Sequence, residues 1–138
     1  SGGPYAGCEE ALECLRRADV QLACVTNKER RHAERVLAAT GLASWFPTLI
    51  AGDTLPYRKP DARVLGEVLR RHGIPAPRAA HVGDSAIDVE TARNAGVAAW
   101  AVPYGYNGGR PVAEARPDRL FPDLSAVADH VCAARMAA

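Results

Sequence analysis

The chain has 138 residues, 48% hydrophobic and 24% charged, with a formal net charge of +1. That length suits one domain, here residues 1–138, and the apolar content supports a packed core and argues against disorder. The near-neutral balance, with arginines scattered through helical segments, gives no reason to expect a nucleic-acid or membrane partner, and no apolar run is long enough to span a bilayer. No signal-peptide pattern opens the sequence, so a cytoplasmic setting is the default expectation.

Short apolar strands alternate with amphipathic helices from end to end, the pattern of βα units and a parallel sheet. Residues 8–18 carry Ala11, Leu12, Leu15 and Ala18 at helical spacing. Residues 20–26 (VQLACVT) predict the first strand, a helix follows over about 29–39, and Gly41 is its expected left-handed cap. Residues 48–51 predict a second strand. Asp61 is placed to cap a helix running to His72, with Val64, Leu65, Val68 and Leu69 inward and Gly73 after it. A third strand over 79–83, a helix over 87–95 closed by Gly96, and a fourth strand over 97–102 follow. Residues 103–118 read as a Gly/Pro-rich loop with one helical turn, then a short β segment near Arg119–Phe121 and a closing helix from about Ser125. Trp45 and Trp100 are expected at or near the core.

The four cysteines, Cys8, Cys14, Cys24 and Cys132, form no CxxC pair, and the four histidines do not cluster. A zinc site is not expected on that spacing. All four thiols are expected to be structural, with Cys24 a small buried hydrophobe in its strand.

Three stations could carry chemistry. Thr26 and Asn27 follow the first strand, where a hydroxyl and an amide either bind a phosphate oxygen or cap the next helix. Lys59 precedes Pro60, whose ring restricts the preceding backbone and so fixes where the lysine leaves it. Its ammonium is then either a point charge for a phosphate or carboxylate, or a solvated surface group. Asp84 leaves the third strand after Gly83, and Asp88 lies one helical turn on. Two such carboxylates repel unless a cation or lysine sits between them. Mg²⁺ takes oxygen ligands of this kind at the carboxyl edge of a parallel sheet. The competing reading is helix capping by Asp84 or Ser85 with Asp88 solvated. Gly105, Gly108 and Gly109 sit in YGYNGGRP, which lacks the GK[ST] of a phosphate-binding P-loop and reads as a structural turn.

In order, strand–Thr-Asn, Lys-Pro and strand–Gly-Asp-Ser-x-x-Asp resemble the second, third and fourth motifs of the haloacid-dehalogenase-like phosphatase superfamily. PYAGCEEALECLRRA at 4–18, VTNK at 25–28, GDTLPYRKPD at 52–61, VGDSAIDVETARNAG at 82–96 and YGYNGGRP at 104–111 are similar to its phosphoglycolate-phosphatase-like members. The resemblance covers essentially the whole chain. It implies an α/β fold, a three-layer αβα Rossmann-like core with a mostly parallel sheet. It also implies roles: Thr26, Asn27 and Lys59 on the phosphoryl group, Asp84 as a catalytic Mg²⁺ ligand, and Asp88 orienting the metal shell or Lys59.

The first motif of that superfamily is Asp-x-Asp, supplying the nucleophile that becomes an aspartyl-phosphate and the general acid. No Asp-x-Asp occurs in this sequence, and no helical cap domain follows one. The chain is therefore expected to be the carboxyl-terminal core of a longer enzyme, lacking its central first strand and inactive by itself. Its unpaired strands predict association, including with copies of itself. The resemblance implies a Mg²⁺-dependent phosphomonoester hydrolase acting on a small phosphorylated metabolite, 2-phosphoglycolate first. The alternatives are a related phosphatase for a sugar phosphate or pyrophosphate, and a non-catalytic phosphate- or Mg²⁺-binding module. A response-regulator-like receiver is disfavoured because Lys59 precedes the Gly-Asp strand rather than following the last strand.

Overall fold

A computed structural model describes residues 7–103 and 111–137. The glycines 105, 108 and 109 and the opening residues 1–6 lie outside the described residues. Helix α1 spans Cys8–Arg17, strand β1 Ala23–Val25, α2 Arg30–Thr40, β2 Thr48–Ile50 and α3 Arg63–His72. Then come β3 Ala80–Gly83, α4 Ala86–Ala95, β4 Ala98–Ala101, β5 Arg119–Leu120 and α5 Leu124–Ala137. Each helix and strand expected from periodicity is present. Short 3₁₀ turns at Ala43–Trp45 and Ala76–Arg78 were not expected, and one at Val112–Ala115 falls in the loop assigned a helical turn.

The first strand is shorter than its apolar run. The amide of Val20 donates to the carbonyl of Leu15, so Val20 closes α1 rather than opening β1. Asp19 takes the left-handed conformation (φ 60°) that ends this helix without a glycine. Gly41, Gly73 and Gly96 do the same for α2, α3 and α4, as their positions imply.

All strand pairs are parallel. Among the described residues they form two sheets, β1–β2 and β3–β4–β5, with no ladder between β1 and β3. This is where the first strand was expected to be missing. The layers follow from the alternation of β4: Ala99 and Ala101 face the cluster with Val64, Leu65 and Val89 of α3 and α4, while Trp100 faces that of Val127 in α5. The α3/α4 cluster also takes in Ile50 and Val25, so one core spans both half-sheets. On the other face α5 packs along α1.

The cysteines depart from expectation. Cys14 of α1 and Cys132 of α5 are joined as a disulfide. Cys8 is buried, whereas Cys24 is only half-buried in β1, which pairs with β2 alone among the described residues. Trp45 is buried beneath the Arg16 guanidinium, and Trp100 makes edge contacts with Phe121 and His130.

Candidate active site

Asp88 organises the site. It projects from the first turn of α4 and is 6% exposed. One carboxylate oxygen, Oδ1, accepts from Lys59 Nζ at 2.7 Å and from His81 Nε2 at 3.1 Å. The other, Oδ2, accepts the Ser85 hydroxyl at 3.0 Å and the Asp84 amide at 3.2 Å. Four donors fill the acceptor capacity of an ionised carboxylate, and His81 must carry its proton on Nε2 to be one of them. The solvated Asp88 of the capping reading is therefore wrong. Its position three residues after the N-cap Ser85 lets the side chain fold back over the helix start to the Ser85 hydroxyl and the Asp84 amide.

The backbone of Lys59 is held from both sides. Asn27 Nδ2 donates to the Lys59 carbonyl at 3.0 Å, and the Lys59 amide donates to Asn27 Oδ1 at 2.9 Å. Asn94 of α4 donates to the Pro60 carbonyl at 2.9 Å, and the Lys59–Pro60 peptide is cis. Asp61 accepts the Arg63 amide at 2.9 Å at the α3 start, but the N-cap position is Ala62 rather than the expected Asp61. The lysine is thus fixed at its main chain by β1's loop and at its ammonium by α4. Its side chain is 13% exposed, so the surface-charge reading fails.

Thr26 does not cap α2, whose N-cap is Glu29. Its Oγ1 accepts the Lys28 amide at 3.1 Å, which leaves its own proton to donate. The α2 start is instead covered by Asp53, which accepts the Arg30 amide at 2.8 Å. Two glycines make these approaches possible. A Cβ on Gly83 would collide with the Asp88 side chain, and one on Gly52 would collide with the Asn27 carbonyl.

The two aspartates differ electrostatically. Burial pushes the Asp88 carboxyl upward, but the His81 hydrogen bond and the Lys59 charge outweigh it and hold the group well below the usual carboxylate range. Asp84 is raised, by burial and by the charge of Asp88, with Lys59 only partly offsetting them. Among the described residues Asp84 has no ion-pair partner. A half-buried carboxylate penalised for its charge fits one ligand of a hard cation. Asp88 is already saturated, and no cluster of three or more acidic, His or Cys ligands occurs among the described residues.

The model of haloacid dehalogenase-like hydrolases matches residues 3–102. This chain belongs to that family. Among its hydrolase relatives, the phosphoglycolate phosphatase of Pseudomonas savastanoi pv. phaseolicola is 43% identical over 120 residues, covering 87% of this chain and 44% of that protein. A probable phosphoglycolate phosphatase of Pseudomonas savastanoi is 44% identical over 110 residues, covering 80% of this chain and 69% of that protein. A crystal structure of a predicted phosphoglycolate phosphatase from Haemophilus somnus 129pt superposes with a TM-score of 0.88 at 32% identity, covering 92% of this chain and 56% of that one. The chain spans about half the length of several curated relatives it matches.

The structure brings Asn27, Lys59 and Asp88 of this family member into one hydrogen-bonded unit, with Thr26 and Asp84 at its borders. Sequence reasoning missed His81, Asn94 and the hydroxyl role of Ser85. His81 had a signal: it alternates with Gly83, so both lie on the face of β3 that meets Asp88. Asn94 had none, because its partner is a backbone carbonyl 34 residues away.

Proposed function

We propose that this chain carries the phosphate- and Mg²⁺-binding part of a phosphomonoester hydrolase of the phosphoglycolate phosphatase type. The substrate is a small phosphorylated metabolite, 2-phosphoglycolate first, cleaved through an aspartyl-phosphate. The observation that carries this reading is Lys59, held at its backbone by Asn27 and at its ammonium by Asp88. Phosphoryl transfer depends mainly on such positioning and on charge stabilisation.

In this reading the Lys59 ammonium neutralises the phosphoryl oxygens and the attacking carboxylate. The Thr26 hydroxyl and the second N–H of Asn27 donate to the same phosphoryl group. Asp88 and His81 keep Lys59 aimed. Asp84 would hold Mg²⁺, which when bound supplies charge stabilisation at a phosphoryl oxygen. The attacking carboxylate is absent from these 138 residues as an Asp-x-Asp. A second reading is a phosphate-binding module without turnover.

The test is to assay the chain by itself and fused to an upstream strand that carries Asp-x-Asp. The substrates are 2-phosphoglycolate, a sugar phosphate, pyrophosphate and an aryl phosphate, with and without Mg²⁺. The fusion is expected to turn over 2-phosphoglycolate only with Mg²⁺, and the chain alone negligibly. In the fusion, Lys59→Ala is expected to lose about a hundredfold or more in rate, and Asp84→Asn to lose rate and Mg²⁺ dependence together. Phosphate binding without turnover in the fusion would support the non-catalytic module. Preference for a sugar phosphate or pyrophosphate would reassign the substrate.

A further inference from the structure

We propose that Cys14 and Cys132 form a reversible redox clamp, closed by a low-molecular-weight disulfide and opened by a dithiol, that fixes α5 on α1. The two cysteines lie 118 residues apart in sequence, and their Cα atoms are 6.9 Å apart across the packed helices. That is within the reach of a bridge, whose upper limit is about 7 Å.

Position on an open groove separates this pair from the other two thiols. Cys14 and Cys132 are half-buried and line an open groove between the helices, together with Glu13, Arg17 and Arg135. In this proposal that groove is the route by which exchange reagents reach the sulfurs. Cys8 is buried and Cys24 lies in the sheet, and neither has a cysteine partner. Burial is the main cause that pushes both of those thiols up, which keeps them protonated and slow to exchange.

The clamp sits where α5 gains from it. This helix reaches the sheet through a small cluster, Val102, Phe121 and Val127 with their partly buried neighbours. Near its end the polar contact to α1's border is a long one, from Arg135 Nη2 to the Asp19 carbonyl at 3.5 Å. A bridge closing so long a loop restricts the unfolded chain strongly.

The chemistry balances with glutathione disulfide as oxidant. One protein thiolate attacks a glutathione sulfur, forming a mixed disulfide and expelling one glutathione thiolate. The second cysteine, as thiolate, attacks the protein sulfur of that mixed disulfide and expels the other. Two electrons pass from the protein to the reagent, and the two protons released end on the two glutathione thiols. The site stands apart from Lys59 and Asp88 and does not depend on the proposed activity.

The test is to treat the folded chain with glutathione disulfide or with dithiothreitol, then alkylate it in denaturant and map the peptides by mass. After oxidation, alkylation is expected on Cys8 and Cys24 alone, with a linked Cys14–Cys132 peptide, and after reduction on all four. Reduction is also expected to speed hydrogen exchange in residues 124–135 and raise the unfolding equilibrium constant at least about tenfold, whereas Cys132→Ser removes both responses. Four alkylated cysteines after both treatments, or glutathione adducts without a bridge, would overturn the clamp. So would a bridge whose reduction leaves exchange and stability unchanged.

Discussion

At the scale of single residues, the Lys59–Asp88 pair concentrates the energetic risk in the site. Both side chains are nearly buried, so removing Asp88 leaves the Lys59 ammonium buried without its carboxylate. Asp88→Ala is expected to cost about 3–5 kcal/mol in urea unfolding, whereas Lys59→Met with Asp88→Leu should recover most of it. Additive losses in that cycle would show that the two do not act as a pair. The pH dependence has a definite sign. The Asp88 carboxyl is depressed in the folded state, so its contribution is complete above the unfolded value near ~3.9 and is lost as pH falls through the lower folded value. Unfolding measured from pH 6 downward should therefore show an acid-side loss of stability that Asp88→Asn diminishes. Asp84 has the opposite sign: its raised carboxyl favours the folded state when protonated, and that contribution fades as pH rises through the folded value.

At the scale of elements, β3 and α4 work as one part. The strand ends in Gly83 because the Asp88 side chain lies against its backbone. Gly83→Ala is expected to destabilise the fold by about 1–3 kcal/mol, as overpacking does. It should also abolish the coupling between Lys59 and Asp88 in a double-mutant cycle, which a purely local strain would leave intact. The α3 entrance is the matching part: the Asn27 amide pairs with Lys59 the way a neighbouring strand would, and ties the β1–β2 sheet to the segment that reaches α4. The two half-sheets are thus joined through their helices and the site rather than through a ladder.

At the scale of the whole molecule, the consequence is four strand edges outside any ladder among the described residues, on β1 and β2 of one sheet and on β3 and β5 of the other. Such edges promote pairing with other chains. Light scattering across a concentration series should show association, and a stable, strictly monomeric chain would count against it. The α/β class, the parallel order of elements and every helix and strand were legible in the sequence, because apolar periodicity and glycine stops are local properties. So were Asn27, Lys59, Asp84 and Asp88 as residues of interest, through their places after strands and before proline. The direction Asp88 faces was not legible. Spacing permits a solvated cap, a metal ligand or a lysine partner, and the choice fell to the lysine because β3, α3 and α4 converge to bury it. His81 and Asn94 joined the site through the same convergence, and Cys14 met Cys132 only because the two end helices pack together. Local pattern fixed which elements form, since backbone and side-chain preferences act over a few residues. Tertiary structure decided which charges are desolvated and which groups pair, since burial and hydrogen bonding depend on residues far apart in the chain.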